Sequence, residues 1–474
     1  MRPPVLSPNA LVRSPAVFTG LVALAGLFSA FLAGVIAARS PTLGGALAAA
    51  ALFGPIALID LPLALAAWTA LLFVRLVPGI GLPFSMAGLL IAFAWFGAMG
   101  GRAGVIRATL GRMRPLVLVV AGLLLWLTAS VTWATNREVI WGDLVYWAMA
   151  GLLLLIVATT ADSPSRMKLI CAAFVVGALL SVLTGLIEGG LTGDPDAIDT
   201  ASEGRFVSAQ SDPNDLAAGL VAAIALAAGT LGATRNAAAR ALLTLSIPLL
   251  ALGLAATQSR GGLVASLVAV VVALMVARER RGQVLVALLG IAAVASFALA
   301  STPGAVERVT TLDAAGNGRT ELWSIAWKMS GDNALGGVGL NQFREQSMDY
   351  VREPGNLEFV ELIVESPHVV HNAYLQMLAE TGVVGLALYL LVMVLSVSAS
   401  IRALRLARFE GRRDLTALAQ GVVVAQAGML AALFFLSIGN DFRLWLLLGL
   451  GPALLAAVRA ATRPAAGPAA SLRA

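Results

Sequence analysis

The sequence predicts an all-α membrane protein that crosses a bilayer many times. Hydrophobic residues make up 59% of its 474 residues and charged residues only 12%, and the mean hydropathy is +0.88. A soluble domain carries about 25% charged residues, because its surface must be covered by polar groups. Apolar runs of about 20 residues, the length that crosses a bilayer, recur along most of the chain. These observations exclude a soluble globular enzyme.

Fourteen apolar runs qualify as transmembrane helices, and we expect about 12 to 14 of them to cross the membrane. Arg2 and Arg13 precede the first run, as in a signal peptide, but the run is longer than a usual signal core and more spans follow. Asp60 and Pro62 separate the second and third runs, which form either two spans or one bent hairpin. The predicted spans are residues 16–37, 42–59, 61–79, 83–99, 115–134, 139–160, 167–187, 214–233, 240–257, 261–277, 283–301, 381–400, 416–437 and 442–460.

The basic residues lie between the apolar runs and fall mainly on one side when the runs alternate across a bilayer. If the N-terminus is cytoplasmic, that side receives most of the 32 Lys and Arg residues but few of the 26 Asp and Glu residues. The asymmetry predicts that both termini are cytoplasmic. It also explains the pI of about 10.2 better than nucleic-acid binding does, so we expect membrane lipids and no nucleic acid among the partners.

The spacing of the spans divides the chain into five parts. Two outer segments are long, and only the second is large enough for a small extramembrane unit that carries short helices. The single cysteine, Cys171, excludes a disulfide within the chain. The predicted parts are N-terminal spans 1–114, a core 115–301 with the outer loop 188–213, a large outer loop 302–380, C-terminal spans 381–460, and a disordered cytoplasmic tail 461–474.

Both histidines of the chain, His368 and His371, lie at the end of the large outer loop. Ser366-Pro367 predicts a helix start there, with Ser as the N-cap and Pro at the first helical position. That helix would end near Thr381-Gly382. Because they are three residues apart, the two imidazoles would share one of its faces, one turn apart. Imidazole suits proton transfer because its unperturbed pKa lies near working pH. His371 is therefore either a general base or an ordinary polar residue on an exposed helix.

Several motifs in the outer segments resemble those of one family of membrane enzymes. They are His371-Asn372 followed by nine residues, Gly382, two residues and Gly385; Gln-Ser-Arg-Gly-Gly at 258–262; Arg205-Phe206 before Asp212-Pro213-Asn214; and Gly318-Arg319 with Trp323, then Gly-Gly-Val-Gly at 336–339. Together, over roughly residues 200–400, they resemble the bacterial O-antigen ligases. That family belongs to a superfamily with O-antigen polymerases and protein O-oligosaccharyltransferases.

The resemblance implies a GT-C-like glycosyltransferase of the bacterial inner membrane whose active face is periplasmic. It implies that His371 is the catalytic base for an acceptor hydroxyl. It also implies that Arg205, Arg260 and Arg319 hold a lipid diphosphate, which a guanidinium can bind in bidentate fashion. The expected supporting residues are His368, Asn372, Asp212, Asn214, Ser259 and Gly261.

Each of these residues also has a simpler interpretation. Arg260 can extend from a helix end to the membrane surface, as long basic side chains commonly do. Arg205 and Arg319 can be solvated charges in outer loops. Asp212 can simply cap the helix that Pro213 begins.

The donor implied by the resemblance is a glycan on undecaprenyl diphosphate, and the acceptor is lipid A core or a growing polysaccharide. The implied transfer is inverting and needs no cofactor or metal. His368 and His371 have no third ligand at suitable spacing, and the Asp-x-Asp of Asp194 and Asp196 has no supporting partner, so we interpret it as solvated charge.

Two alternatives remain open from the sequence. The motif spacing favours a ligase, but polymerases of the same superfamily carry close variants. A transporter or lipid flippase would place ionisable residues at mid-membrane depth, where the clearest charge in a predicted span is Asp143. Most other charges lie in loops, which favours an enzyme.

Overall fold

The computed structural model describes residues 40–75, 80–101, 103–187, 206, 212–301, 319–352 and 369–462. Over these ranges the chain is helical and has no strand, and nine of the helices are long and apolar enough to cross a membrane. The prediction of an all-α polytopic membrane protein is therefore confirmed. The predicted first span, 16–37, and residues 463–474 of the predicted tail lie outside the described residues, while Ala461 and Thr462, predicted to begin the tail, belong to the last helix.

The helices coincide with the predicted spans over most of the described chain. In chain order they are α1 Pro41–Ile59, α2 Leu61–Leu71, α3 Gly81–Gly101, α4 Ala103–Arg112, α5 Arg114–Ala129, α6 Glu138–Thr160, α7 Pro164–Ile187, α8 Pro213–Ala233, α9 Ala237–Ala256, α10 Arg260–Val276, α11 Arg281–Ser301, α12 Arg319–Asp332, α13 Phe343–Arg352, α14 Ala373–Phe409, α15 Arg413–Ala432 and α16 Phe442–Thr462. A short 3-10 segment, Leu433–Phe435, follows α15.

Two local predictions are corrected. The run 61–79 is not one continuous helix, because α2 ends at Leu71 and has 11 residues, fewer than the roughly 20 that cross a bilayer. Asp60 ends α1 and caps α2, since its carboxylate accepts the N–H of Leu63 at 3.0 Å. The ten residues of α4 form a helix in a segment predicted to be a basic loop.

The centre of the bundle is formed by α8, α15 and α16, the most buried of the spans. α8 and α15 touch backbone to backbone, and a Cβ added to Gly229 or Gly421 would lie 2.7 Å from the other glycine's Cα. Small residues allow such contact in a bilayer, where dispersion rather than the hydrophobic effect drives helix association. α7, α9 and α10 pack around α8, while α6 and α14 pack against α16.

The basic residues predicted to be cytoplasmic collect at one end of this bundle. Arg408 donates to the carbonyl of Val276 at the end of α10 and pairs with Glu279 at 3.4 Å. Arg412 donates to the carbonyl of Ala461 at the end of α16, at 3.2 Å. The starts of α10 and α16 therefore lie at the other end, together with the large loop.

The described part of the large loop has its own small core. Leu322, Ile325, Ala326 and Met329 of α12 are buried against Val338, Phe343 and Val370, while Trp327 is exposed. α12 also packs against α14. The loop helices therefore hold a fixed position over the start of α14.

Candidate functional site

Two helix starts form the first half of the site. Asp212 caps α8, because its carboxylate accepts the N–H of Asn214 at 2.7 Å. Ser259 caps α10, because its hydroxyl oxygen accepts the N–H of Gly262 at 3.0 Å. The Ser259 hydroxyl also donates to Oδ1 of Asn214 at 2.7 Å, which joins the two starts. Helix N-termini carry unpaired N–H groups and a positive dipole end, so this place favours an anion.

A tight turn brings Arg260 to this pair of helix starts. Gln258 has a left-handed backbone with φ 49°, which is uncommon for a residue other than glycine. Behind Arg260 the backbone runs close to its neighbours. A Cβ on Gly261 would lie 3.0 Å from Cβ of Phe435, and one on Gly262 would lie 2.7 Å from Cβ of Ala217. The two glycines therefore let α10 begin directly against α8 and the segment after α15.

Phe206, in the outer segment before α8, lies at the same turn. Phe206 is fully buried, and its backbone N–H donates to the carbonyl of Ala256 at 3.3 Å, just before the turn that carries Arg260. Arg205, which precedes Phe206 in the sequence, lies outside the described residues.

Arg319 joins the group from the large loop, as the first residue of α12. Burial lowers the pKa of Arg319 and is the largest effect. The carboxylate of Asp212 raises this pKa, and the charge of Arg260 lowers it, so the net change is a decrease. The charges of Asp212 and Arg260 therefore both reach Arg319, so the starts of three helices lie close together here.

His371 lies in a turn just before α14. Its backbone is left-handed, with φ 53°. On one side, the indole N–H of Trp323 in α12 donates to the carbonyl of Val370 at 3.1 Å. On the other side, Asn372 caps α14 and its Oδ1 accepts the N–H of Tyr374 at 3.0 Å. His371 is therefore held between two fixed neighbours, and the Trp323 contact links its turn to α12, the helix that begins at Arg319.

The prediction that one short helix carries both histidines is wrong at His371. α14 begins at Ala373, so His371 precedes the helix rather than lying on its face. The contact between Trp323 and Val370 holds this stretch in a non-helical turn. His368 and the predicted helix start Ser366-Pro367 lie outside the described residues.

Aromatic contacts connect the start of α14 with the start of α10. The ring of Tyr374 lies 4.6 Å from that of Phe434, and its hydroxyl donates to the carbonyl of Leu430 at 2.7 Å. The next residue, Phe435, is the neighbour of Gly261. The segment after α15 therefore lies between the start of α14 and the start of α10.

The glycine pattern after His371 serves the docking of the large loop. α14 breaks at Gly382, whose φ of 66° favours glycine, and a Cβ there would clash with the carbonyl of Leu335. Three backbone hydrogen bonds hold the loop at this break: Val338 N–H to Ala379 O at 3.0 Å, Gly339 N–H to Glu380 O at 2.8 Å, and Val383 N–H to Ala334 O at 2.9 Å. The Gly-Gly-Val-Gly motif and Gly382 thus form a single contact, whereas Gly385 lies against Thr381 and Trp126.

We expect Gly382→Ala to destabilise the protein by roughly 3 kcal/mol or more, because left-handed strain adds to steric overlap. Gly411 is a matched control, since its φ is 64° but no atom lies within 4 Å of an added Cβ. Gly411→Ala should cost only about 1–2 kcal/mol of backbone strain. Thermal unfolding of the purified variants in detergent measures both. Equal losses for the two variants would show that the loop does not dock tightly at Gly382.

A group of buried charges next to the site had no counterpart in the sequence predictions. Arg443 of α16 contacts Asp215, in the first turn of α8, at 2.6 Å and Asp441 at 2.9 Å. Arg75 lies 3.5 Å from Asp441. The signal that could have found them is Asp441-Phe442-Arg443, two opposite charges at the mouth of the last apolar run.

The described ranges contain no group of three His, Cys, Asp or Glu side chains arranged to hold a metal ion. Asp194 and Asp196 lie outside these ranges.

The fold and the site together define a multi-pass membrane protein in which Arg260 and Arg319 lie at neighbouring helix starts beside the described part of the large loop. A family model described as O-Antigen ligase matches residues 245–390, which include Arg260, Arg319 and His371. This match supports membership of the chain in the O-antigen ligase-like superfamily, whose members are membrane glycosyltransferases of the ligase or polymerase type. No curated protein matches the chain.

Proposed function

We propose that the chain transfers a glycan from undecaprenyl diphosphate to an acceptor hydroxyl at the periplasmic face of the bacterial inner membrane. The observation that supports this most is the convergence of Arg260, Arg319 and the turn of His371 at neighbouring helix starts. A cationic centre beside an imidazole suits a reaction that needs a base and an anionic leaving group. The family match supports the class of enzyme.

His371 acts as the general base in this proposal. The acceptor hydroxyl is a poor nucleophile until the imidazole removes its proton, and it then attacks the anomeric carbon while the bond to the diphosphate oxygen breaks. A single displacement of this kind inverts the anomeric configuration. The turn between Val370 and Asn372 fixes the backbone at His371, so little motion is needed to place the base.

Arg260 and Arg319 stabilise the leaving diphosphate, with Arg205 as a third candidate. Negative charge grows on the diphosphate as the glycosidic bond breaks, and preorganised cations in a site shielded from water stabilise that charge effectively. The joined starts of α8 and α10 add helix-end dipoles at the same place. Phe206, the next residue in the sequence, lies beside the turn of Arg260, which supports including Arg205 among the candidates.

The proposed orientation rests on the positive-inside rule. The basic clusters at the far ends of α10 and α16 would be cytoplasmic, and the site would face the periplasm. A lipid-linked donor suits that face, where no nucleotide sugar is present.

We favour ligation to lipid A core over polymerisation, because the spacing from His371-Asn372 to Gly382 and Gly385 resembles that of the ligases. A deletion strain distinguishes the two. Free lipid A core with accumulated lipid-linked polymer is the expected result for a ligase. Core capped with single repeats would instead indicate a polymerase.

Transport is the weaker interpretation. Asp143, the clearest charge in a predicted span, lies in the second turn of α6 and accepts a hydrogen bond from Asn440 at 3.3 Å. It therefore lies near the same end of the bundle as the proposed site rather than at mid-membrane depth, where transporters place such groups.

We expect the transfer to need no metal, because the arginines supply the positive charge. The purified enzyme should keep its activity in EDTA when transfer from undecaprenyl-diphosphate-linked glycan is followed by mass spectrometry. Loss of activity that Mg²⁺ or Mn²⁺ restores would contradict this and would assign a role to Asp194 and Asp196.

A further inference from the structure

Four charged side chains meet where α8, α16 and the turn after α2 come together. Arg443 is 2% exposed and Asp441 4% exposed, so the central pair is withdrawn from solvent. Arg75 lies at the edge, 3.5 Å from Asp441 and 24% exposed. Two guanidinium groups are balanced by two carboxylates, those of Asp215 and Asp441. Because its charges cancel, this cluster is suited to hold helices together rather than to bind an anion.

The guanidinium of Arg443 uses each of its nitrogens inside the cluster. Nε–H donates to Oδ1 of Asp441 at 2.9 Å, and Nη2–H donates to Oδ2 of Asp441 at 3.0 Å. Nη2–H also donates to Oδ1 of Asp215 at 2.6 Å, and Nη1–H donates to the backbone carbonyl of Asp215 at 3.4 Å. Arg443 therefore holds both the side chain and the backbone of the first turn of α8.

The surrounding residues pack closely around the guanidinium of Arg443. The Arg443 guanidinium lies over the ring of Phe73 at 5.5 Å. Gly219, one turn after Asp215 in α8, lies against the same pair, and a Cβ there would lie 2.6 Å from Cε1 of Phe73 and 3.3 Å from Nη1 of Arg443. Buried charges are costly to keep, so a cluster this closely fitted is expected to serve function or specificity.

A short chain of contacts leads from Arg443 to the proposed diphosphate site. Asp215 follows Asn214 in the chain, and Asn214 accepts the hydroxyl hydrogen bond of Ser259 at 2.7 Å. Ser259 in turn caps α10, whose first residue is Arg260. A shift in the first turn of α8 would therefore move the cap on which Arg260 depends.

We propose that Arg443, held by Asp441, is a positioning residue that fixes the first turn of α8 and, through Asn214 and Ser259, orients Arg260. The role toward the lipid diphosphate rests on the proposed function, whereas the effect on the start of α10 does not. Arg443 touches no substrate in this proposal and acts only through the two joined helix caps.

The test compares Arg443→Met and Arg443→Lys with Gln426→Leu in the purified full-length chain. Gln426 of α15 is a matched control. It is buried, and its Nε2–H donates at 2.8 Å to the carbonyl of Leu447 in α16, the helix that carries Arg443. Hydrogen–deuterium exchange is followed at the amides of residues 259–264. We expect faster exchange there in both Arg443 variants, and wild-type exchange in Gln426→Leu even if that variant melts at a lower temperature. Unchanged exchange in the Arg443 variants, or an equal increase in the control, would overturn the proposal.

A binding measurement on the same proteins separates the two proposals. The probes are undecaprenyl diphosphate and undecaprenol, which share the lipid and differ in the diphosphate. We expect Arg443→Met to weaken binding of undecaprenyl diphosphate by about tenfold to a hundredfold, the scale of a small misplacement, and to leave undecaprenol binding unchanged. An equal loss of binding for both probes would show that Arg443 has only a structural role. Wild-type protein that binds both probes equally would refute the proposed function, while the exchange result would still decide the role of Arg443.

Discussion

Replacing His371 should abolish glycan transfer while the protein still inserts into the membrane and still binds the lipid-linked donor. Loss of a general base typically lowers turnover by about a hundredfold to ten-thousandfold. His371→Ala removes the base but also places alanine in a left-handed turn, at φ 53°. His371→Asn is the sharper variant, because asparagine tolerates that conformation and cannot act as the base. Both variants should fail to transfer glycan when compared with wild type at equal membrane abundance.

His368→Ala is the control for this prediction and should keep a substantial fraction of activity. His368 lies three residues from His371 but outside the family pattern of His-Asn, Gly and Gly. If His368→Ala were inactive and His371→Asn active, the assignment of the base would be reversed. If both variants transferred glycan normally, neither imidazole would be catalytic.

Arg260→Lys should lower turnover by about an order of magnitude or more, which corresponds to at least about 1.4 kcal/mol in the activation free energy. Lysine keeps the positive charge but loses the planar fork that binds two diphosphate oxygens at once. The site also constrains the replacement, because the glycines behind Arg260 fix the start of α10 against its neighbours. Steady-state transfer with purified protein measures the effect.

Arg240→Lys provides the matched control for Arg260→Lys. Arg240 also lies near a helix start, but at the opposite end of the bundle, where it donates to the carbonyls of Leu231 and Thr234 at 3.1 Å. We expect it to retain wild-type turnover. Full activity in Arg260→Lys as well would show that Arg260 only anchors the helix in the membrane.

The spans could be predicted from the sequence because each needs only a long apolar run. Two segments depart from the prediction, each for a physical reason. Leu61–Leu71 is as apolar as a span, but Asp60 and the turn after Leu71 end the helix on both sides. Ala103–Arg112 is basic, and helix formation there could not be read from hydropathy.

The site could be predicted less completely. Nearby capping residues compete to begin a helix, and contacts between residues far apart in the sequence leave no pattern in it. Ser366 and Asn372 are both good capping residues, and the structure uses Asn372 for α14, where a hydrogen bond from Trp323 fixes the preceding turn. The pair of Arg443 and Asp215 joins residues 228 positions apart, and no spacing rule connects them. The roles of His371, Arg260 and Arg319 in catalysis stay predictions that the variants above test.

The most direct test of the account is transfer by the purified full-length chain in liposomes with an undecaprenyl-diphosphate-linked glycan of known anomeric configuration. Lipid A core and a second lipid-linked repeat are supplied as separate acceptors, and the product is analysed by mass spectrometry and NMR. We predict release of undecaprenyl diphosphate and a new linkage of inverted configuration, which His371→Asn abolishes. No transfer to either acceptor, or transfer with retention of configuration, would contradict the account.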